Sequence, residues 1–461
     1  MSFVAALGLV LTLIIRPQEI WPFLNVFRLL DVFTGLAVLG VAFEFATGKQ
    51  KQPWSPQLPF LAALTLIGYA CTVKVMGRPG LTTVFQRMVI TGLFMLAIMY
   101  GARTFARLRA LLVLLVVIMG FVSAVAVHQG RQEPQCVEIP IDDATGQRVS
   151  IEDGNPDGRS CDTAFSCEKG GKEKMDYKCE KLGLFKTAST GGRVKWRGQL
   201  GDPNELSVYI GACLPLLLAL TTFMKNKAFT LFALAILGVG LWAVILTQSR
   251  GGQLVIGAVF ATYFVSRFGA KGVIAGIVMA LPVMLLGGRE NADDSSAERL
   301  ELLYEGMTVI KQNPIFGIGI DRFTETNWLG LTAHNSYVLS AAETGMPGFF
   351  AWTGLLWASV KIPLKVVRNP PPEMDPRLKP FAMAFLVSFI GMCIGIFFLS
   401  FTFKQLLFVW FGMAGALYGV VRKDSPQFEV KFGKWDYIGI VGFCVGLMTL
   451  VFVYTRIKGT G

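Results

Sequence analysis

The chain has 461 residues, 53% of them hydrophobic, with a mean hydropathy of +0.53 and a formal net charge of +12. That apolar share exceeds the roughly 45–50% of a soluble domain, and many runs approach the ~20 residues that cross a bilayer. The runs are continuously apolar, which excludes a barrel of alternating strands and predicts an all-α polytopic membrane protein with about 12–13 transmembrane helices and two sizeable outer loops. The positive charge is largely that of short cytoplasmic loops, so it gives no reason to expect a nucleic-acid partner.

In chain order, the first apolar segment, 2–15, lacks a basic leader region and a convincing cleavage site and reads as a retained helix. It ends at Arg16-Pro17-Gln18-Glu19. Segment 25–46 carries Arg28 and Asp31, a pair that could form within the bundle. Segments 58–76, 85–101 and 109–127 precede a polar stretch, 128–202. Segments 205–224, 228–247, 252–267 and 270–287 precede a second polar stretch, 288–344. The last four are 346–363, 380–401, 404–421 and 436–455. With the N-terminus inside, every inner loop is basic, from Lys49 and Lys51, through Arg103, Arg107 and Arg109, to Arg422 and Lys423. Both polar stretches and Arg250 then face outward. The division is 1–127, 128–202, 203–287, 288–345 and 346–461, alternating membrane and outer parts.

Four cysteines, Cys71, Cys213, Cys393 and Cys444, lie in apolar segments and read as packing residues. The other four, Cys136, Cys161, Cys167 and Cys179, lie in the first polar stretch. In an outward loop, without a CxxC pair or a neighbouring histidine, they read as disulfide candidates rather than a metal site. Their three possible pairings stay open. The loop becomes a small stapled cap, broken by its glycines.

In the second polar stretch, Ser295 and Glu298 have capping-box spacing. Leu300, Leu303, Tyr304, Met307 and Ile310 then recur with the period of an amphipathic helix, which Asn313-Pro314 stops. This helix lies either on the membrane interface or on its neighbours.

His334 is one of two histidines in the chain. It precedes a short helical run, Asn335 to Glu343, closed by Gly345. A helix N-terminus and nearby arginines both disfavour the imidazolium, and a neutral imidazole is what a general base needs. His128, at a helix end, reads as structural. Arg250 stands in Ser249-Arg250-Gly251-Gly252, where the glycines allow close backbone approach and the guanidinium offers a fork for phosphate oxygens. Its alternative is a snorkelling side chain at a tight turn. Arg197, which reads equally as a structural or a ligand-binding residue, precedes Asp202-Pro203, a helix cap followed by proline at the first helical position. Asp142-Asp143 and Asp293-Asp294 read as solvated, so no metal and no cofactor is expected. There is no P-loop. A secondary transporter would show broken helices or buried carboxylates at mid-membrane, and Asp31 is the main sequence candidate.

Four motifs in order carry a resemblance. His334-Asn335, nine residues to Thr344, then Gly345, Met346, Pro347 and Gly348 resembles the outer-loop histidine motif of the bacterial O-antigen ligase and O-antigen polymerase superfamily. Asn313-Pro314-Ile315-Phe316-Gly317-Ile318-Gly319 is similar to the segment before that histidine. Ser249-Arg250-Gly251-Gly252 resembles the family's Arg-Gly-Gly turn, and Arg197 to Asn204 its upstream arginine motif. The resemblance covers about 195–420, whereas the four-cysteine loop departs from the family pattern.

The resemblance implies a metal-independent, inverting membrane glycosyltransferase of the bacterial inner membrane, with its site at the periplasmic face. His334 would be the base, Arg250 and Arg197 would bind the diphosphate, and Asn335, Gly251, Gly252 and Arg322 would support them. The implied donor is a glycan on undecaprenyl diphosphate. The acceptor is lipid A core, a growing glycan or a protein serine or threonine, and membrane lipids are partners. A flippase or transporter of a lipid-linked glycan is the non-catalytic alternative.

Overall fold

A long apolar segment in lipid must satisfy every backbone N–H and C=O within itself, and coiling into a helix does so. The computed structural model describes residues 2–49, 54–140, 155–169, 175–224, 226–269, 271–274, 278 and 292–458. Among these, ten helices are long and apolar enough to cross a membrane, as a multi-pass membrane protein requires. The principal helices are α1 (Ser2–Ile15), α2 (Leu29–Ala46), α3 (Leu58–Met76), α4 (Pro79–Gly101), α5 (Phe105–Gly130), α6 (Pro203–Phe223), α7 (Lys227–Leu246), α8 (Arg250–Phe268), α9 (Ala292–Gln312), α10 (Ser336–Arg368), α11 (Leu378–Gly395), α12 (Gln405–Asp424) and α13 (Lys434–Lys458). The expected 270–287 segment and Asp142-Asp143 lie almost wholly outside the described residues.

The chain forms two units. One holds Met1–Val10, Arg28–Leu112 and Glu290–Gly461. In it α10 packs on α3, α9, α11, α12 and α13, while α4 packs on α2 and α12. Phe381, Phe385 and Phe389 stack one turn apart along α11, with centroids 6.3 and 6.1 Å apart, and fill the core. Gln57, fully buried, donates to Ser359 Oγ at 2.6 Å and Phe411 O at 2.9 Å, tying the start of α3 to α10 and α12.

The other unit holds Leu11–Phe27 and Val113–Arg289. In it α6 packs between α7 and α8 and is buried over most of its length. Asp202 caps it, accepting the Asn204 N–H at 2.7 Å with Pro203 at the first helical position, as the sequence predicts. The polar stretch after α5 holds a three-stranded antiparallel sheet in the order β2-β1-β3, made of β1 (Pro134–Pro140), β2 (Asn155–Ser160) and β3 (Met175–Lys181). Disulfides join Cys136 to Cys167 and Cys161 to Cys179. Cys136 and Cys179 sit opposite each other in the β1–β3 ladder, yet each bonds elsewhere, and the two bridges cluster with Tyr177 as the core of this cap.

Two expectations change, and one alternative is decided. Arg28 and Asp31 pair at 2.8 Å but stand exposed, because one precedes and the other opens α2 at its outer rim rather than inside the bundle. The helix after the second polar break begins at Ala292, so Ser295 lies inside it and cannot cap it. α9 packs on α10 and α13, burying Leu302 and Val309 and leaving Tyr304 41% exposed.

Candidate functional site

His334 stands just before α10 with φ of 48°, the left-handed region that a residue with a Cβ rarely enters. Its neighbours hold it there. Asn335, 2% exposed, accepts the N–H groups of Tyr337 and Val338 at 3.0 Å each and caps the helix. Ser336 is tied four ways to the segment between α11 and α12. Its N–H donates to Ile396 O (2.9 Å) and its hydroxyl to Leu399 O (2.6 Å); its Oγ accepts from Phe401 N (2.7 Å) and its carbonyl accepts the Thr402 hydroxyl (2.8 Å). The histidine is thus the last residue of a loop whose downstream end is fixed, and it is half-buried.

Upstream, Asn327 holds the same loop by donating to Phe323 O at 2.7 Å and Leu331 O at 2.9 Å. Between them Trp328 projects with 76% exposure. Arg322 is paired with Glu325 at 2.9 Å, and Asp321, itself at φ 67°, pairs with Arg87 at 2.7 Å.

Glu343 was not singled out in the sequence. It is 3% exposed, and its carboxylate accepts the Phe323 N–H at 3.3 Å. It lies two residues before Gly345, which breaks α10 at φ 66° and ψ 178°. A break strands backbone groups on both sides. The segment 314–319 collects them: Ile318 N–H donates to Ala342 O, Gly319 N–H to Glu343 O, each at 3.0 Å, and Met346 N–H to Pro314 O at 2.8 Å. Gly317 fits only because it has no Cβ, which would meet the Glu343 carbonyl at 2.5 Å. A carboxylate inside an apolar run, followed by Thr-Gly, was the signal available in the sequence.

Arg197, Arg250, Gly251 and Gly252 belong to the other unit, whereas His334, Asn335 and Arg322 share one. α7 ends at Leu246 and α8 begins at Arg250, leaving three residues to turn the chain. Gln248 makes the turn at φ 50°, and Ser249 caps α8 by accepting the Gly252 N–H at 3.1 Å. A Cβ on Gly252 would overlap the Ser207 side chain of α6. Arg193 braces the turn, donating to Thr247 O at 2.9 Å and Asn204 Oδ1 at 3.1 Å. Arg250 itself is exposed on the first turn of α8.

Arg197 has the opposite character. It is 5% exposed and donates to Glu19 O at 2.9 Å and Phe185 O at 2.6 Å. Arg16, at the end of the first apolar segment, lies beside it at φ 53°, paired with Glu19 at 2.5 Å and packed over Gly198, where any Cβ would collide with it. The Arg-Pro junction at the end of an apolar helix was the sign of it.

Residues 232–353 match the family model for O-antigen ligase. The match takes in Arg250, Arg322, His334, Asn335 and Glu343 and stops short of Arg197. It supports the O-antigen ligase and polymerase superfamily. No curated protein matches the chain.

Proposed function

We propose that this multi-pass membrane protein, which carries an O-antigen ligase domain, is a glycosyltransferase that moves a glycan from undecaprenyl diphosphate to an acceptor hydroxyl. The observation that carries the reading is His334, strained at φ 48° and held by a capped, anchored helix start within the matched residues. Backbone strain that the surroundings enforce is concentrated where a side chain has a task.

His334 takes the proton of the acceptor hydroxyl as general base. That oxygen forms a bond to the anomeric carbon, the bond to the lipid diphosphate breaks, and its electron pair leaves on the diphosphate. One displacement inverts the anomeric configuration. Arg250, exposed and forked, stabilises the charge that grows on the leaving group. Arg197 was expected in the same role; its commitment to two backbone carbonyls supports a positioning part instead, with Arg16 as its neighbour. Asn335, Gly251 and Gly252 support the two turns, and Arg322 pairs within the histidine's loop. The two disulfides and the basic inner loops support a periplasmic site on the inner membrane. Lipid A core, a growing glycan and a protein hydroxyl remain alternative acceptors, since all three present the same nucleophile.

The test uses purified protein, a diphosphate-linked glycan donor and each acceptor class. Wild-type protein releases lipid diphosphate and transfers glycan, with activity retained in EDTA. Release by His334→Ala at the wild-type rate would sink the base assignment, and EDTA loss restored by magnesium or zinc would sink the metal-free mechanism.

The second reading is a transporter of a lipid-linked anion, and the break in α10 beside buried Glu343 favours it. The stranded groups of that break are filled by segment 314–319 rather than left to line a water-filled path, which favours the enzyme. Movement of donor across proteoliposomes without diphosphate release would reverse the choice.

A further inference from the structure

The unit that holds His334 has a concavity at the far end of its bundle. α12 starts just past the 396–402 segment anchored to Ser336 and runs 20 residues away from it, about 30 Å of rise. Around its last turns, with the ends of α2 and α4 and the start of α5, lies a cavity of about 740 Å³. Lys49, Arg103, Arg107, Arg422 and Lys423 line it, and no carboxylate does among the described residues.

The arginines are aimed chiefly by neutral partners. Arg103 donates to Lys49 O at 2.9 Å, Arg107 to Gly101 O at 3.0 Å, and Arg422 to the Tyr418 hydroxyl at 3.3 Å. Rings flank two of them, Phe3 at 5.4 Å from Arg107 and Tyr418 at 5.9 Å from Arg422. Among the described residues, the carboxylate set against them is Glu44, 3.2 Å from Arg103 and also accepting the Ser2 hydroxyl. Asp424 at the same helix end accepts the Asp375 N–H and lies outside the lining. Positive charge is thus concentrated and oriented without an internal counterion of equal size.

The space exists because of the helix sequence. Gly415, Ala416 and Gly419 fall on one face of α12, and nothing lies within 4 Å of where a Cβ on Gly419 would sit. Trp54, Tyr100 and Tyr418 complete the wall. Aromatic rings with cations at helix ends mark headgroup depth, and basic pockets between spanning helices suit anionic lipid headgroups. A bare phosphate is far smaller than this cavity, whereas pockets of roughly 300–1,000 Å³ enclose whole small molecules.

We propose that this cavity binds the phosphate headgroup of an anionic phospholipid, at the membrane face opposite His334. The site is independent of the glycosyltransferase reading and stands or falls by itself.

The test is lipid retention by the full-length, delipidated protein in neutral detergent, read by native mass spectrometry. Phosphatidylglycerol or cardiolipin should be retained and phosphatidylcholine should not. The Arg107→Gln, Arg422→Gln double variant should lose retention about tenfold or more, and Gly419→Leu, which fills the space and keeps every charge, should lose it too. Arg109→Gln, an exposed arginine of the same helix outside the lining, should retain lipid. Equal loss in Arg109→Gln and the double variant, or wild-type retention by Gly419→Leu, would reduce the feature to general surface charge and overturn the site. Tight binding of pyrophosphate or ATP without lipid retention would overturn the lipid assignment.

Discussion

Two helix starts invite comparison, those of α8 and α10. Each has a residue in the left-handed region, then a polar cap, then the helix: Gln248-Ser249-Arg250 and His334-Asn335-Ser336. In each the cap side chain accepts from the first turn. They differ in where the proposed chemistry stands. At α8 the candidate follows the cap, and an unremarkable glutamine carries the strain. At α10 the candidate is the strained residue. Arg250 therefore needs only a short turn behind it, whereas His334 is aimed by the distortion itself. The surroundings reflect this: Ser336 is tied at four points, while Arg250 keeps an exposed side chain.

The comparison can be broken most sharply at the histidine. Glycan transfer by His334→Ala should fall by about 10²–10⁴-fold, the usual worth of a general base. His334→Gly relieves the backbone and should lose as much, which separates the imidazole from the turn. Next comes Gly252→Ala, whose Cβ meets Ser207; overpacking of this kind costs about 1–3 kcal/mol and should lower the thermal midpoint in detergent. The caps follow. Ser249→Ala and Asn335→Ala should each cost about 0.5–2 kcal/mol of stability. Asn335→Ala should also slow transfer about tenfold or more, because misplaced catalytic groups lose rate steeply. Equal slowing by both would erase the proposed difference between the two starts. The smallest effect is Gln248→Gly, expected to leave transfer unchanged and raise stability by up to ~1 kcal/mol, since glycine enters the left-handed region freely.

The sequence foretold these starts unevenly. Ser-Arg-Gly-Gly and Asp202-Pro203 mark helix ends by local chemistry, and both stand where expected. The break at Gly345 stands where expected, between the run that follows His334 and the segment 346–363. What was not legible is that residues 314–319, distant in sequence, satisfy the groups the break strands. The sheet of the cysteine cap was hidden for a similar reason: its strands are short, and they pair across long intervals, Gln135 with Ser160 and Cys136 with Cys179. On α9 Ile310 of the expected stripe is buried together with Leu302 and Val309, while Tyr304 is exposed, because burial there follows the contacts with α10 and α13 rather than the period alone. Arg197 and Arg250 looked alike as letters. Their difference lies in Glu19 and Phe185, whose carbonyls no local motif announces.

The lashing at Gly345 has a mechanical consequence. A continuous helix transmits an axial push from end to end like a rod. α10 is two rods with a joint between them, and the joint is glued to 314–319 by three backbone hydrogen bonds, from Ile318, Gly319 and Met346. Force on the longer rod, Met346 to Arg368, would reach that segment before it reached the short rod behind His334. The short rod is moored at Ser336. The short rod behind the histidine is thereby held at both ends, by the mooring at Ser336 and by residues 314–319, which it shares with the longer rod.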